Sequence, residues 1–353
     1  MQLTVAGPKA PARRPAPAAS PRGGRLLLGL GCVALALAAA VALSLGVGSG
    51  HVPLGDVVAG LFHPDRGERA QLIVREVRVP RTAAGLLAGA ALGLAGAVMQ
   101  GVARNPLADP GLLGVNAGAS VFVVLAISVL SLTDPQQYIW FGFLGACLAA
   151  VLVHGVGSMG REGATPVKLA LAGAAVAAAL SAVTSAMLLT DSATFDQFRF
   201  WQVGSLTGRE PAVLWQALPF IATGGVAALA LGPQLNTLAL GDDTARGLGQ
   251  RIALARLGAA VCVVLLCGAA TVVAGPIAFV GLAVPHAARL LTGPDYRWIL
   301  PYSTLLAPTS LLLADVTGRL IARPGEVQVG VMTAALGAVP FVLLVRRRKT
   351  VEL

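Results

Sequence analysis

Long apolar runs, each about as long as a membrane is thick, are the feature of this sequence that most restricts its fold. A helix needs about 20 mostly apolar residues to cross the hydrocarbon core of a bilayer. Charged residues make up 12% of the chain, whereas soluble domains carry about 25%. The sequence therefore predicts an all-α polytopic membrane protein with about ten transmembrane helices, at 26–45, 82–102, 112–132, 138–156, 167–189, 213–231, 252–273, 276–291, 299–316 and 327–345.

The polar segments are too short to form a second core, so one membrane domain is expected at 26–348. A basic Pro/Ala-rich tail at 1–25 is predicted to be disordered and cytoplasmic, and 349–353 form a short cytoplasmic end. The run at 26–45 could also be a cleaved signal peptide, but its length favours a retained helix. The stretch at 198–206 is too short to span and is expected to lie in the interface or to re-enter.

The distribution of basic residues predicts the orientation of the chain. The net charge is +10, but the positive residues are divided among short loops and the two ends, which favours a role in membrane topology over nucleic-acid binding. With both termini in the cytoplasm, 17 of the 26 basic residues fall on the inner side and nine on the outer side. This distribution agrees with the positive-inside rule and predicts a multi-pass membrane protein with both termini in the cytoplasm.

Glycines at four-residue spacing mark one face of the second apolar run. Gly85, Gly89 and Gly93 would form a ridge along which another helix can approach closely. Glycines are common in membrane helices, so the ridge alone does not identify a packing partner.

A turn of defined chemistry follows this run. Asn105, Pro106, Pro110 and Gly111 are turn-forming residues, because proline fixes φ and glycine admits positive φ. The residue before a proline is also driven out of the helical region, so the helix is expected to stop by Asn105.

Sequence motifs for an internal energy source are missing. The chain contains no Gly-Lys dipeptide, and therefore no phosphate-binding loop, and it lacks H-E-x-x-H and G-x-S-x-G. No charged residue is expected near the middle of a span, and Asp315 is placed at a span end. Ion-coupled carriers need such a residue as a ligand for the ion. These absences favour a partner subunit as the energy source over an ion-coupled carrier or a membrane-embedded enzyme.

Three separated stretches resemble the permease subunits of iron–siderophore, haem and cobalamin ABC importers. The first begins with Arg-Val-Pro-Arg-Thr at 78–82 and continues through Asn-Pro-Leu-Ala-Asp-Pro-Gly-Leu-Leu-Gly at 105–114. The others are Gly-Pro-Ile-Ala-Phe-Val-Gly-Leu-Ala-Val-Pro-His at 275–286 and Leu-Leu-Leu-Ala-Asp at 311–315. The resemblance covers roughly 26–348.

The resemblance implies a set of partners. The permease would pair with an identical or homologous permease, two cytoplasmic ATPase subunits that bind ATP and Mg²⁺, and an extracytoplasmic substrate-binding protein. The chain itself would bind no cofactor and no metal. Its substrate would be an iron chelate, with ferric siderophores ahead of haem and cobalamin.

The resemblance also implies two contact sites. Arginines matching Arg78, Arg81 and Arg319 pair with glutamates of the binding protein, and Arg75 is added because it is close in sequence. An anchor in the lipid headgroups is the alternative for this cluster. At the inner side, a short helix would contact the ATPase, although it could also be a simple connector; its residues are Leu238, Leu240, Gly241, Asp242, Ala245, Arg246 and Gly249.

Hydroxyl groups on the fifth apolar run suggest a translocation path. Ser181, Thr184 and Ser185 are close in helical angle and could line a lightly polar wall. The resemblance implies that such a path runs between two permease subunits. Hydroxyls in membrane helices also bond back to their own backbone, and that alternative stays open here.

Overall fold

The computed structural model describes residues 22–48, 50, 52–62, 68–159 and 165–347. All regular elements in these ranges are helices, and no strand occurs among them. The predicted tail lies outside the described residues except for 22–25, and 349–353 lie outside them as well. The α-helices are α1 (Arg22–Gly46), α2 (Leu54–Phe62), α3 (Arg69–Leu72), α4 (Val79–Ala103), α5 (Val115–Ser128), α6 (Pro135–Gly157), α7 (Pro166–Thr190), α8 (Ser192–Gln202), α9 (Pro211–Ala230), α10 (Gly232–Ala239), α11 (Asp242–Gly247), α12 (Ile252–Ala274), α13 (Val280–Thr292), α14 (Tyr296–Ile321) and α15 (Val329–Arg347).

The prediction of an all-α polytopic membrane protein is confirmed. Within the described residues, seven helices are long and apolar enough to cross a bilayer, and two more apolar helices are shorter. The predicted count of ten spans is approximate, because one of the ten corresponds to α13, a helix shorter than the membrane is thick. With 13 residues, α13 is about 20 Å long, which is less than the roughly 30 Å hydrocarbon core.

The segment between the first two predicted spans is mostly helical in its described part. A π-helical turn, Ile73–Arg78, joins α3 to α4 without a break, so one helix runs from Arg69 to Ala103. Val52, Val57 and Val74 form a small apolar core there, which explains why this segment packs. The π-helical turn lies just before Pro80, where the proline ring and its missing N–H disturb regular helical hydrogen bonds.

The eighth predicted span, 276–291, begins four residues too early. The backbone is left-handed at Gly275 and at Phe279, with φ of 73° and 68°, so α13 begins only at Val280. The segment between them has no regular secondary structure, with Ile277 buried and Ala278 exposed. Just before it, the carbonyl of Ala274 at the end of α12 accepts a hydrogen bond from the N–H of Ser205 at 2.8 Å. A positive φ at a phenylalanine is not readable from local sequence.

Helix α4 lies at the centre of the bundle, in contact with α9, α12, α13 and α14. The predicted glycine ridge faces α14. A Cβ at Gly85 would lie 2.5 Å from Cδ2 of Leu312, and one at Gly93 would lie 2.5 Å from Cβ of Ala307. A Cβ at Gly89 would overlap the backbone of Pro308. Small residues therefore let the backbones of α4 and α14 approach closely.

The turn after α4 has the predicted chemistry. The helix ends at Ala103, before Asn105, whose Oδ1 accepts a hydrogen bond from the N–H of Leu107 at 2.9 Å. Asp109 then caps a 3₁₀ turn at Pro110–Leu113 by accepting from the N–H of Gly111 at 2.7 Å. Burial raises the pKa of the Asp109 carboxyl, and this hydrogen bond opposes the shift.

Candidate functional site

The predicted contact residues lie at two opposite ends of α4. At one end, called the Arg81 end, the start of α4 meets the end of α1 and the end of α14. At the other, called the Asp242 end, Arg104 meets Asp242. Because the chain passes from one end to the other in successive helices, this arrangement agrees with the predicted alternation of the spans.

A buried ion cluster occupies the Arg81 end. The Asp315 carboxylate accepts from Nε of Arg81 at 2.9 Å and from Nη2 at 2.7 Å, and lies 3.0 Å from Nη2 of Arg319. Nη1 of Arg81 pairs with Glu326 Oε2 at 2.6 Å. Asp315 is fully buried and Glu326 is 26% exposed. Two arginines thus share one buried carboxylate, and a second, half-buried carboxylate completes the cluster.

Arginines also hold the end of α1 through its main chain. Arg78 Nη1 donates to the carbonyls of Leu45 and Gly46 at 2.7 and 2.8 Å, and Arg319 Nη1 donates to that of Ser44 at 3.0 Å. The last carbonyls of a helix have no partner within the helix and carry its negative dipole end. Cationic donors at this position satisfy these carbonyls and fix α1 against α4 and α14.

The arginines for which the resemblance implies docking are buried in this structure. Arg78, Arg81 and Arg319 are only 4%, 5% and 2% exposed. Arg75, added by proximity, is exposed. The expectation that Asp315 lies at a span end is corrected, since α14 continues six residues beyond it. The i,i+4 spacing of Asp315 and Arg319 was the sequence signal for this ion cluster.

The predicted cytoplasmic element has the expected shape. Helix α11 begins at Asp242, and Gly249 follows it with a φ of 82°. Leu238 and Ala245 are buried against the bundle, at 1% and 0% exposure. Two large apolar side chains of the same element are exposed instead: Leu240 is 62% exposed and Leu248 is 65% exposed.

Asp242 ties this element to two other helices. Its carboxylate oxygens accept from Nη2 of Arg256 on α12, both at 3.0 Å, and it pairs with Arg104, the residue that ends α4. Burial, and then the positive charge of Arg256, lower the pKa of the Arg104 guanidinium. Asp242 is among the predicted contact residues, whereas Arg104 and Arg256 are not. Arg104 lies far from Asp242 in the chain, and Arg256, 14 residues away, belongs to the next helix, α12.

The three hydroxyl residues of the suggested path do not share one environment. Thr184 is buried and its Oγ1 donates to the carbonyl of Leu180 at 3.0 Å, as in the backbone-bonding alternative. Ser181 and Ser185 are exposed on α7, of whose membrane-length window only 17% is buried. The face of α7 that carries these serines is thus open to lipid or to another subunit.

Comparison with known proteins identifies the family. The profile of the FecCD transport family matches residues 36–347, which include both ends of α4. The chain belongs to the FecCD transport family. Its FecCD relatives include the probable siderophore transport system permease protein of Bacillus subtilis (strain 168), 44% identical over 286 residues, or 81% of this chain and 86% of the relative. The ferric enterobactin transport system permease protein of Escherichia coli (strain K12) is 49% identical over 276 residues, or 78% and 82% of the two chains.

A solved structure supports the FecCD fold. A metal-chelate type ABC transporter in an inward-facing conformation superposes with a TM-score of 0.78 at 27% identity, covering 92% of this chain and 99% of that one. The resemblance noted from the sequence motifs is therefore confirmed, and the chain is a multi-pass membrane protein of a transport family.

Proposed function

We propose that this chain is the membrane-spanning permease subunit of an ATP-driven importer of iron chelates, with ferric siderophores as the substrate class. Identity of 44% and 49% to a siderophore and a ferric enterobactin permease, over about four fifths of the chain, carries the proposal. The chain would work by alternating access, with a second permease subunit, two ATPase subunits and a substrate-binding protein. ATP hydrolysis with Mg²⁺ would take place in the ATPase subunits and not in this chain.

Three features support these assignments. The exposed apolar side chains at the Asp242 end form a surface for a cytoplasmic partner, and the exposed Arg75 at the Arg81 end suits an acidic partner on the outer side. Exposed residues along α7 leave a face for a second permease, where Ser181 and Ser185 would line the path beside Thr184. In this orientation both termini lie in the cytoplasm, and the protein resides in the bacterial cytoplasmic membrane.

Uptake by reconstituted vesicles tests the function as a whole. Vesicles with this chain and its ATPase inside, and the binding protein outside, should accumulate radioiron-labelled ferric enterobactin only when ATP is enclosed. Unlabelled haem and cobalamin should compete poorly. Accumulation by the chain alone, driven by an ion gradient, would overturn the proposal in favour of a secondary carrier.

Charge reversal at Arg75 tests docking at the Arg81 end. Because Arg75 is exposed, Arg75→Glu should leave the fold intact while repelling an acidic binding protein and weakening its binding about tenfold. The affinity is measured by surface plasmon resonance on the full complex in lipid nanodiscs. The matched control, Arg297→Glu, lies at the Asp242 end with a side chain 67% exposed, and it should bind like the wild type. Equal affinities of all three proteins would remove Arg75 from the docking surface.

The exposed leucines at the Asp242 end provide the corresponding test for the ATPase. Leu240→Asp and Leu248→Asp would place a charge in an apolar contact and should weaken ATPase binding about tenfold or more. Co-purification at increasing dilution measures this. Leu54→Asp, an equally exposed leucine on α2 at the Arg81 end, serves as the control and should retain the ATPase. Retention by the two α10–α11 variants as well would exclude this surface.

A further inference from the structure

We propose that Asp242 is a positioning residue that locks the cytoplasmic element α10–α11 to α4 and α12, so that movement of the ATPase reaches the core of the permease. The inference rests on the proposed function and assigns the mechanical link within it. A surface helix that merely touched an ATPase would need no internal attachment of this kind.

The attachment is built by one carboxylate between two guanidinium groups from different helices. Arg256 lies in the first turns of α12 with its side chain 9% exposed, and both Asp242 oxygens accept from it at 3.0 Å. Arg104 reaches the same carboxylate from the end of α4. Its backbone is left-handed, with a φ of 49°, a conformation that L-residues rarely adopt. Arg104 therefore breaks the helix immediately after Ala103, and its guanidinium reaches the first residue of α11.

Charge makes this contact depend on Asp242. Arg104 and Arg256 are close enough to repel each other, and Asp242 carries the negative charge between them. Without that charge, two like-charged groups would remain side by side, and α4 and α12 would lose their shared attachment to α11. Helix α11 also buries the small side chain of Ala245, whose carbonyl accepts from the N–H of Gln250 at 3.0 Å, and neither contact carries a charge that could replace that of Asp242.

The attachment leads into α4, a helix that reaches from the Asp242 end to the Arg81 end. Helix α4 continues the segment that starts at Arg69, about 50 Å in total, and carries Arg81 near its far end. It contacts α9, α12, α13 and α14. A displacement of α11 would therefore act on α4 and, through α4, on the helices around it and on the ion cluster at the Arg81 end.

The neighbouring residue provides a matched control. Asp243 is fully exposed and pairs only at the surface with Arg246 of the same helix, at 2.9 Å. Asp242→Asn and Asp243→Asn make the same chemical change one residue apart on the same face of the membrane. A general effect of charge on ATPase binding would appear in both variants, whereas loss of the mechanical link would appear only in the first.

The test compares uptake of radioiron-labelled ferric enterobactin per ATP hydrolysed, in vesicles containing the complete complex. Asp242→Asn should keep its bound ATPase but lose about tenfold in uptake per ATP hydrolysed, within the usual range of coupling between sites. Asp243→Asn should match the wild type. An unchanged ratio for Asp242→Asn would overturn the inference.

A second variant decides the outcome if Asp242→Asn does not assemble. Arg104→Gln removes only the link to α4 and leaves the Arg256–Asp242 pair in place. The side chain of Arg104 is 31% exposed, so the substitution changes a partly exposed position. It should also lower uptake per ATP, and a wild-type ratio would reject the role of Asp242. If the wild-type complex itself shows no ATP-dependent uptake of any iron chelate, the proposed function fails and not the link.

Discussion

Asp315→Asn is expected to destabilise the protein by about 3–5 kcal/mol, because it leaves two buried guanidinium groups facing a neutral side chain. Arg81 would keep its pair with Glu326, but Arg319 would lose its anionic partner at 2% exposure. The change should also loosen the end of α1, because Arg319 donates a hydrogen bond to the carbonyl of Ser44 there. Thermal unfolding in detergent, followed by size-exclusion chromatography, measures the loss.

The control for this prediction is Asp196→Asn. Asp196 also pairs with an arginine on its own helix, Arg199, at 3.3 Å, but both side chains are more than half exposed. Such surface pairs contribute about 0–1 kcal/mol. A similar loss in the two variants would contradict the view that burial makes the Asp315 cluster important.

Gly96→Ala is expected to disrupt the core, with a loss of more than about 3 kcal/mol, at the upper limit of overpacking effects. A Cβ at Gly96 would overlap the carbonyl of Gly281 on α13. The obstacle is backbone, so no side-chain rotation can relieve the clash, and α4 and α13 would have to separate. The yield of monodisperse protein and its melting midpoint report the effect.

A helical glycine with free space around it should show the opposite effect on stability when it is replaced by alanine. At Gly258 in α12, the nearest atom to an added Cβ is Cδ2 of Leu231 at 4.0 Å. Alanine is a better helix former than glycine by about 1 kcal/mol, so Gly258→Ala should be neutral or stabilising. If Gly96→Ala proved equally harmless, the close approach of α4 and α13 would be wrong.

Much of the architecture could be predicted from local sequence. Apolar runs of membrane length define the spans, and the glycine spacing of α4 predicts the ridge that meets α14. The Asn105 turn follows from the restricted backbone of proline and its neighbours. These features depend on residues near one another in the chain, and the structure confirms them.

The ion pairs could not be predicted in the same way. Arg81 and Asp315 are 234 residues apart, and nothing near either residue specifies the partner. From sequence alone, an arginine beside an apolar run is equally compatible with an exposed anchor in the lipid headgroups and with a buried hydrogen-bond donor to another helix. The choice depends on whether the end of another helix lies within reach, which only the packed bundle determines. The pairing of Arg104 and Arg256 with Asp242 likewise depends on how α4, α11 and α12 pack together.

Helix α1 is held to the rest of the protein mainly by hydrogen bonds to its main-chain carbonyl groups. Tyr302 donates to the carbonyl of Leu26 near the start of α1, and arginines donate to the carbonyls at its finish. Only 11% of its membrane-length window is buried. Substitutions along α1 should therefore be tolerated as long as the new side chains are apolar. Related proteins should differ more in the residues of α1 than in the arginines and the tyrosine that bind its carbonyls.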